Sequence, residues 1–372
     1  MKRLVLVGGG HSHVEVLRQL GVRPAAGAEI ILVSPARHTS YSGMLPGLIA
    51  GHYRYDECHI DLDYLARFAG ARLVQSLACN VDTLRRQIVL TDGAAIDYDL
   101  LSINIGSTSA HPALPGAADE AIAVKPVEEF LPAWNGLVER ARTGDLKKIL
   151  IVGGGAGGVE LLLAMQHRLA RLSAPHAIGF VLVTDAGRLL PDHNSGTRSA
   201  FRHILSQRGI KVRLNCRVAR AESNAAITTN GERIAADAIV WATGAGAPAW
   251  LRATTLKLDA AGFIATDEHL QSLSHPELFA AGDCATIAGC AYPKSGVYAV
   301  RQGPLLAGNL RHALADEPLG TYRPQPRALA LISTGDKYAI ASYGGLTLQG
   351  AWVWRWKNYI DRKFMARYAA AI

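Results

Sequence analysis

Two glycine clusters carry the first chemical signal in this chain, Gly8-Gly9-Gly10 and Gly153-Gly154-Gly155-Ala156-Gly157-Gly158. Each follows an apolar run, Leu4–Val7 or Ile149–Val152, and each precedes helix-like sequence. Glycine lets the backbone turn tightly and approach a pyrophosphate, whose charge then rests on the helix N-terminus. One such turn is weak evidence; two, about 145 residues apart, argue for two dinucleotides in one chain, typically one flavin and one nicotinamide. In the first turn Gly8 and Gly10 fit the opening glycines of G-x-G-x-x-G, but the third position is His13. His11 and His13 flank the phosphate position, so either could donate to phosphate, or both could be packing or surface residues. Ser34 stands at the end of the second strand, where an acid usually holds a ribose; its hydroxyl can serve a ribose as donor or acceptor. The second turn fits fully: Gly153, Gly155 and Gly158, followed by Glu160. Its ribose-selecting position reads Thr184-Asp185 with Arg188 nearby, which leaves NADH and NADPH both open.

The elements around these turns read as an α/β chain with two Rossmann-like dinucleotide-binding domains. Strand Lys2–Val7, a helix over His13–Leu20 and strand Ile30–Ser34 form one unit, continued by runs at Ala71–Val74, Ile88–Thr91 and Leu100–Ile105. From Lys147 the plan repeats: strand, turn, helix Val159–Leu172, strand Gly179–Thr184, helix Thr197–Arg208 and strand Lys211–Leu214, closed by Ile239–Ala242. The short strand Leu278–Ala281 follows. The chain order predicts a first domain of Met1–Pro115 plus Gly262–Glu317, a second of residues 116–261 inserted into it, and a C-terminal region 318–372. That last region holds two short apolar runs around Gly335–Lys337 and a Trp-rich basic tail.

Composition narrows the classes. The formal net charge is +8, yet no zinc-knuckle, helix-turn-helix or RNA-binding pattern accompanies it, so cofactor phosphates or a membrane surface are better readings than nucleic acid. No stretch approaches about 18 consecutive apolar residues, and the first strand begins by Arg3, which points to a cytoplasmic protein. The five cysteines form no C-x-x-C or C-x4-C pair. A dithiol relay beside the flavin is therefore not expected, although Cys284 and Cys290, six apart, leave a disulfide open. In the tail, Trp352, Trp356, Ile360 and Phe364 fall on one helical stripe among Arg355, Lys357, Arg362 and Lys363. Such a helix suits an anionic membrane surface, or docking on the protein's own surface or on a second subunit of a homodimer.

Together with the two turns, Ala242-Thr243-Gly244 after an apolar strand and Phe279-Ala280-Ala281-Gly282-Asp283-Cys284 make the chain resemble the flavin-dependent pyridine nucleotide–disulfide oxidoreductase superfamily. The missing dithiol and the Gly153–Glu160 turn resemble the branch of type II NADH:quinone dehydrogenases and sulfide:quinone reductases. The runs Gly8–Val16 and Tyr41–Gly47 resemble a subgroup whose members occur alone or fused ahead of selenide water dikinase. The resemblance implies FAD on the first turn, with Asp283 on its ribityl and phosphate region, and NAD(P)H on the second turn, with Gly244 beside it. It also implies that Tyr41–Pro46 lines the flavin and that Lys294 precedes the helix whose N-terminus faces the flavin ring. Glu160 would then point towards the flavin and an acceptor. The activity implied is hydride transfer from NAD(P)H through FAD to a second acceptor, a quinone first, with Glu160 and Lys294 as the catalytic candidates. A nucleotide-responsive flavoprotein sensor and a redox partner of selenium metabolism remain the alternatives.

Overall fold

The computed structural model describes residues 1–109, 116, 120–172 and 177–369. Part of the expected connector, and the expected domain boundary at residue 115, lie outside the described residues. Two five-stranded parallel sheets organise the chain. In the first, the order is Leu278–Ala280, Leu100–Ile103, Lys2–Val7, Ala28–Val33, Ala71–Val74. The strand from residue 278 thus returns to complete a sheet begun at the N-terminus. In the second, the order is Ile122–Ala123, Ala238–Trp241, Lys148–Val152, Gly179–Val183, Lys211–Arg213. The central strands are continuous Val/Leu/Ile runs because both faces are covered, as parallel sheets require. Leu4, Val5 and Leu6 are fully buried in the first sheet, and Ile149, Leu150 and Ile151 in the second.

The helices place the two turns. His11–Val22 packs against Gly296–Leu314 closely enough that a Cβ on Gly303 would lie 2.7 Å from Glu15 Cβ. The first helix starts at His11, two residues before the pattern indicated, because Gly10 already serves as N-cap with extended backbone. Ile88–Leu90 belongs not to a parallel sheet but to the antiparallel meander Ala78–Asp82, Gln87–Leu90, Ala95–Asp97. The C-terminal region is a three-stranded antiparallel sheet, Ala330–Ser333, Ala339–Tyr343 and Leu346–Gly350, followed by helix Ala351–Ala369.

Candidate functional site

The first turn is a cradle built on Asn104. Gly8 has φ +93°, and a Cβ there would sit 2.5 Å from the Asn104 carbonyl oxygen; at Gly10 it would sit 2.3 Å from Asn104 Oδ1. That amide oxygen accepts from the backbone N–H groups of Ser12 (3.0 Å) and His13 (3.2 Å), while Nδ2 donates to Ala281 O at 2.6 Å. One side chain therefore ties the helix start to the segment that carries Asp283. His13 resolves as a packing residue: its ring spans Gly8 O (2.7 Å at Nδ1) and Ser102 Oγ (2.8 Å at Nε2). With Nδ1–H donating to the carbonyl, Nε2 accepts from the serine. This is how a bulky residue replaces the third glycine. Burial lowers its pKa to about 4, so the ring is neutral.

His11 differs. It is also lowered to about 4 by burial, but its Nε2 is buried without a hydrogen-bond partner among the described residues. Its ring lies edge-on to Tyr41, 5.5 Å between centroids, and it feels the charges of Asp283 and Lys125. Asp283 Oδ2 accepts from Lys125 Nζ at 3.1 Å and Ser107 Oγ at 3.3 Å. Lys125 enters from the short link between the edge strand Ile122–Ala123 of the second sheet and helix Val127–Thr143, and sequence patterning carried no sign of it. Ser34 Oγ donates to Ala36 O at 2.9 Å, so its hydroxyl proton is committed to the backbone and its oxygen lone pairs remain to accept.

The second turn needs glycine for steric reasons. A Cβ on Gly153, at φ +132°, would meet the Ala242 carbonyl oxygen at 2.3 Å, and one on Gly158 would meet Gly153 O at 2.2 Å. Gly155 and Gly244 are different, since a Cβ at either would find nothing within 4 Å. An unpartnered buried imidazole nitrogen beside one glycine turn, and open space over Gly155 and Gly244 beside the other, fit two dinucleotides. Asp185 is held by Arg217 at 3.2 Å on the surface.

A cluster of ionisable groups is brought together from three segments, and a fourth, at Ser333, joins it through a backbone N–H. Glu160 Oε1 accepts from the Ser333 backbone N–H at 2.7 Å. Lys357, from the C-terminal helix, donates to Asp361 Oδ2 at 2.7 Å and to Gly43 O at 2.5 Å. The Tyr41 hydroxyl donates to Asp361, and its ring stacks on Phe364 with centroids 4.2 Å apart. The Lys357 and Asp361 side chains are only 12% and 6% exposed. Burial pushes the Glu160 and Asp361 carboxyls up, although Lys357 pulls both down. Burial also opposes the charge on Lys357, but Asp361 and then Glu160 outweigh it and hold the ammonium above its ordinary value.

The remaining candidates land as follows. Lys294 donates to Ala285 O and, at 2.7 Å, to Thr286 Oγ1, and its ammonium sits 4.2 Å from the centre of the Phe263 ring. It is fastened to the strand Ala285–Ile287 rather than left free ahead of helix Gly296–Leu314. Cys284 is a buried free thiol, pushed up to about 11 by burial, and Cys290 is exposed and free, so no disulfide joins them. The tail stripe is split: Trp352, Trp356 and Ile360 face outward, whereas Phe364 is 6% exposed and packs inward. The helix turns Val353, Asp361, Phe364 and Tyr368 inward instead.

A family model for pyridine nucleotide-disulphide oxidoreductases matches residues 2–303. The chain belongs to that family. It is an oxidoreductase whose cofactors are FAD and NAD(P)H. Among curated proteins, it is 28% identical over 299 residues to the type II NADH:quinone oxidoreductase of Haemophilus influenzae, covering 68% of this chain and 66% of that one. It is 26% identical over 303 residues to the NADH dehydrogenase-like protein MT1860 of Mycobacterium tuberculosis, covering 77% and 73%. It is 23% identical to human ferroptosis suppressor protein 1, covering 92% and 88%. Among solved structures, the fold matches the Aquifex aeolicus sulfide:quinone oxidoreductase with a TM-score of 0.82 at 17% identity over 100% of this chain and 92% of that one. It matches NDH2 from Plasmodium falciparum, solved in complex with NADH, at 0.80 and 14% identity over 97% of both chains.

Proposed function

We propose that this oxidoreductase passes electrons from NAD(P)H to a quinone, and that the buried Glu160–Lys357–Asp361–Tyr41 cluster supplies the proton the acceptor needs. FAD supplies the chemistry of accepting a hydride and releasing electrons to a second substrate. The proton balance motivates the cluster. A hydride carries two electrons and one proton, while a quinol takes up two of each, so one proton comes from solvent per turnover. A half-buried carboxyl whose hold on a proton is strengthened by burial and opposed by a neighbouring ammonium can both keep a proton and give it up. Lys357 keeps the cluster's net charge low, and Ser333 fixes the Glu160 carboxyl in place. The observation that carries this reading is the packing of Lys357 and Asp361 against the Tyr41–Gly43 segment, with the half-buried Glu160 close enough to feel both charges. A purely structural tail would have no reason to bear that desolvation cost. The curated relative named for NADH:quinone chemistry supports the choice of acceptor.

The test is steady-state quinone reduction by Glu160→Gln with flavin content checked. The reading expects quinone turnover to fall by about 10- to 100-fold while flavin reduction by NAD(P)H stays within about twofold. Equal turnover in both proteins refutes the role of Glu160. Sulfide as the electron donor is disfavoured by the cysteines, because Cys58 and Cys284 are buried thiols raised to about 12 and about 11.

The outward face of the C-terminal helix, with Trp352, Trp356, Tyr359 and Ile360 beside Leu346 and Leu348, supports peripheral attachment to an anionic membrane where quinones reside. No helix among the described residues is long and apolar enough to cross one. Flotation with anionic vesicles should be lost in the Trp352→Ser, Trp356→Ser double variant; retained flotation would remove this part of the reading.

A further inference from the structure

A cavity of about 810 Å3 lies between segment 36–59, helix Val127–Thr143 and the end of helix Ala156–Ala170. None of Gly8, Lys125, Asp283, Gly153, Glu160 or Lys357 lines it. Its walls are cationic: Arg37, Arg54, Arg142 and Arg168 face only Glu128 and Glu139. Two of the arginines are committed, Arg142 to Glu139 at 2.6 Å and Arg54 to Asp56 at 2.9 Å. Arg37 reaches only the Gln75 side chain, at 3.4 Å, and Arg168 has no carboxylate partner among the described residues. The Arg168 guanidinium lies close over Gly51, which has φ +80° and whose Cβ, if present, would lie 2.6 Å from Nη1. A glycine is needed there both for the backbone and for the guanidinium.

The same cavity offers flat apolar surface. The Tyr55 and His59 rings stack at 3.5 Å between centroids and 13° between planes, and the buried Trp134 faces in from the helix opposite. A volume of this size suits a ligand of nucleotide dimensions. Arginines recognise phosphate through paired N–H donors, and aromatic platforms take a planar base.

We propose that this cavity binds a nucleoside phosphate, with the phosphate on Arg168 and Arg37 and the base against Tyr55, His59 and Trp134. The cavity includes none of the turn glycines, although Ala36 and Arg37 on its wall follow closely after Ser34, and the proposal does not depend on which acceptor the enzyme uses. A bound nucleotide would touch elements that pack on both parallel sheets.

The probe is ADP, measured by equilibrium dialysis against the flavin-loaded protein with increasing NAD+ to clear ADP from the second glycine turn. The proposal expects about one equivalent of ADP that NAD+ does not displace. Arg168→Gln should weaken it roughly tenfold, as loss of a charge-assisted phosphate contact does, with flavin content and flavin reduction by NAD(P)H unchanged. Arg37→Gln, at the other proposed phosphate contact, repeats the test if Arg168→Gln proves unstable. The proposal is overturned if all bound ADP is displaced by NAD+. It is also overturned if ADP affinity is the same in both variants, or if ADP binds only after the flavin is stripped, which would assign the cavity to the adenosine end of FAD.

Discussion

Replacing Lys357 by Met probes the cluster most sharply, because it removes the one cation among three buried ionisable groups. The Lys357–Asp361 contact is 2.7 Å between side chains 12% and 6% exposed. At an effective dielectric near 20 the attraction is on the order of 6 kcal/mol, most of which offsets the cost of desolvating both charges. Deleting one partner leaves Asp361 uncompensated with Glu160 nearby, so the expected loss is about 3–5 kcal/mol. Asp361→Asn in the same chain removes the stranded charge and keeps an acceptor for Tyr41, so the double variant should fall within about 1–2 kcal/mol of the parent. Urea unfolding of the four proteins of this cycle measures both values. The sign with pH follows. Without Lys357, both carboxyls have folded pKa values raised above their unfolded value near 4. The folded variant then binds protons more tightly than the unfolded chain, so its stability falls as pH rises above about 4 and recovers on acidification. A single-variant loss under about 1 kcal/mol, or a double-variant loss equal to the sum of the singles, would refute the buried-pair reasoning.

The first turn yields two further expectations. His11 and His13 are lowered from 6.5 to about 4 by burial, so the unfolded chain binds protons that the folded protein does not. Stability should therefore drop as pH falls from about 6.5 to about 4, by on the order of 3 kcal/mol per ring at the bottom of that window. His13→Leu should cost about 1–3 kcal/mol at neutral pH by stranding Gly8 O and Ser102 Oγ, and should flatten that acid-side slope in thermal melts across pH. A slope unchanged in the variant would contradict the assignment of His13 as a buried neutral ring. Asp283→Ala should purify with much less FAD per chain by visible absorbance, since it removes the carboxylate at the first turn and leaves Lys125 unpaired; full flavin occupancy would contradict the placement of the cofactor.

What could be read from sequence alone follows physical lines. Gly8, Gly153 and Gly158 were legible because each close backbone approach admits no other residue, and the apolar strands ahead of them needed only continuous burial. Asn104 and Lys125 were not legible, because a polar residue in a loop carries no periodic signal and its partners lie far away in sequence. Lys357 and Asp361 were hidden more thoroughly. A Lys and an Asp four apart on a basic helix are ordinarily a solvated pair, and Glu160 stands nearly 200 residues upstream. The inward stripe Val353, Lys357, Asp361, Phe364, Tyr368 follows helical spacing throughout. Two charges on it broke the apolar pattern, and the tryptophans drew the hydrophobic face to the other side. Lys294, expected ahead of the helix that faces the flavin, also donates to Ala285 O and Thr286 and lies over the Phe263 ring, partners that no sequence pattern announced. The cue that could have revealed the cluster was the spacing itself, with charges treated as buried candidates.

The central claim is electron flow from NAD(P)H to a quinone, and anaerobic stopped-flow tests it most directly. The purified yellow protein is bleached with NADH or NADPH and then mixed with a short-chain quinone. The account predicts rapid bleaching by at least one nucleotide and rapid return of colour with quinone, the second phase alone slowed in Glu160→Gln. Absence of bleaching by either nucleotide, or colour that fails to return with quinone, would contradict it.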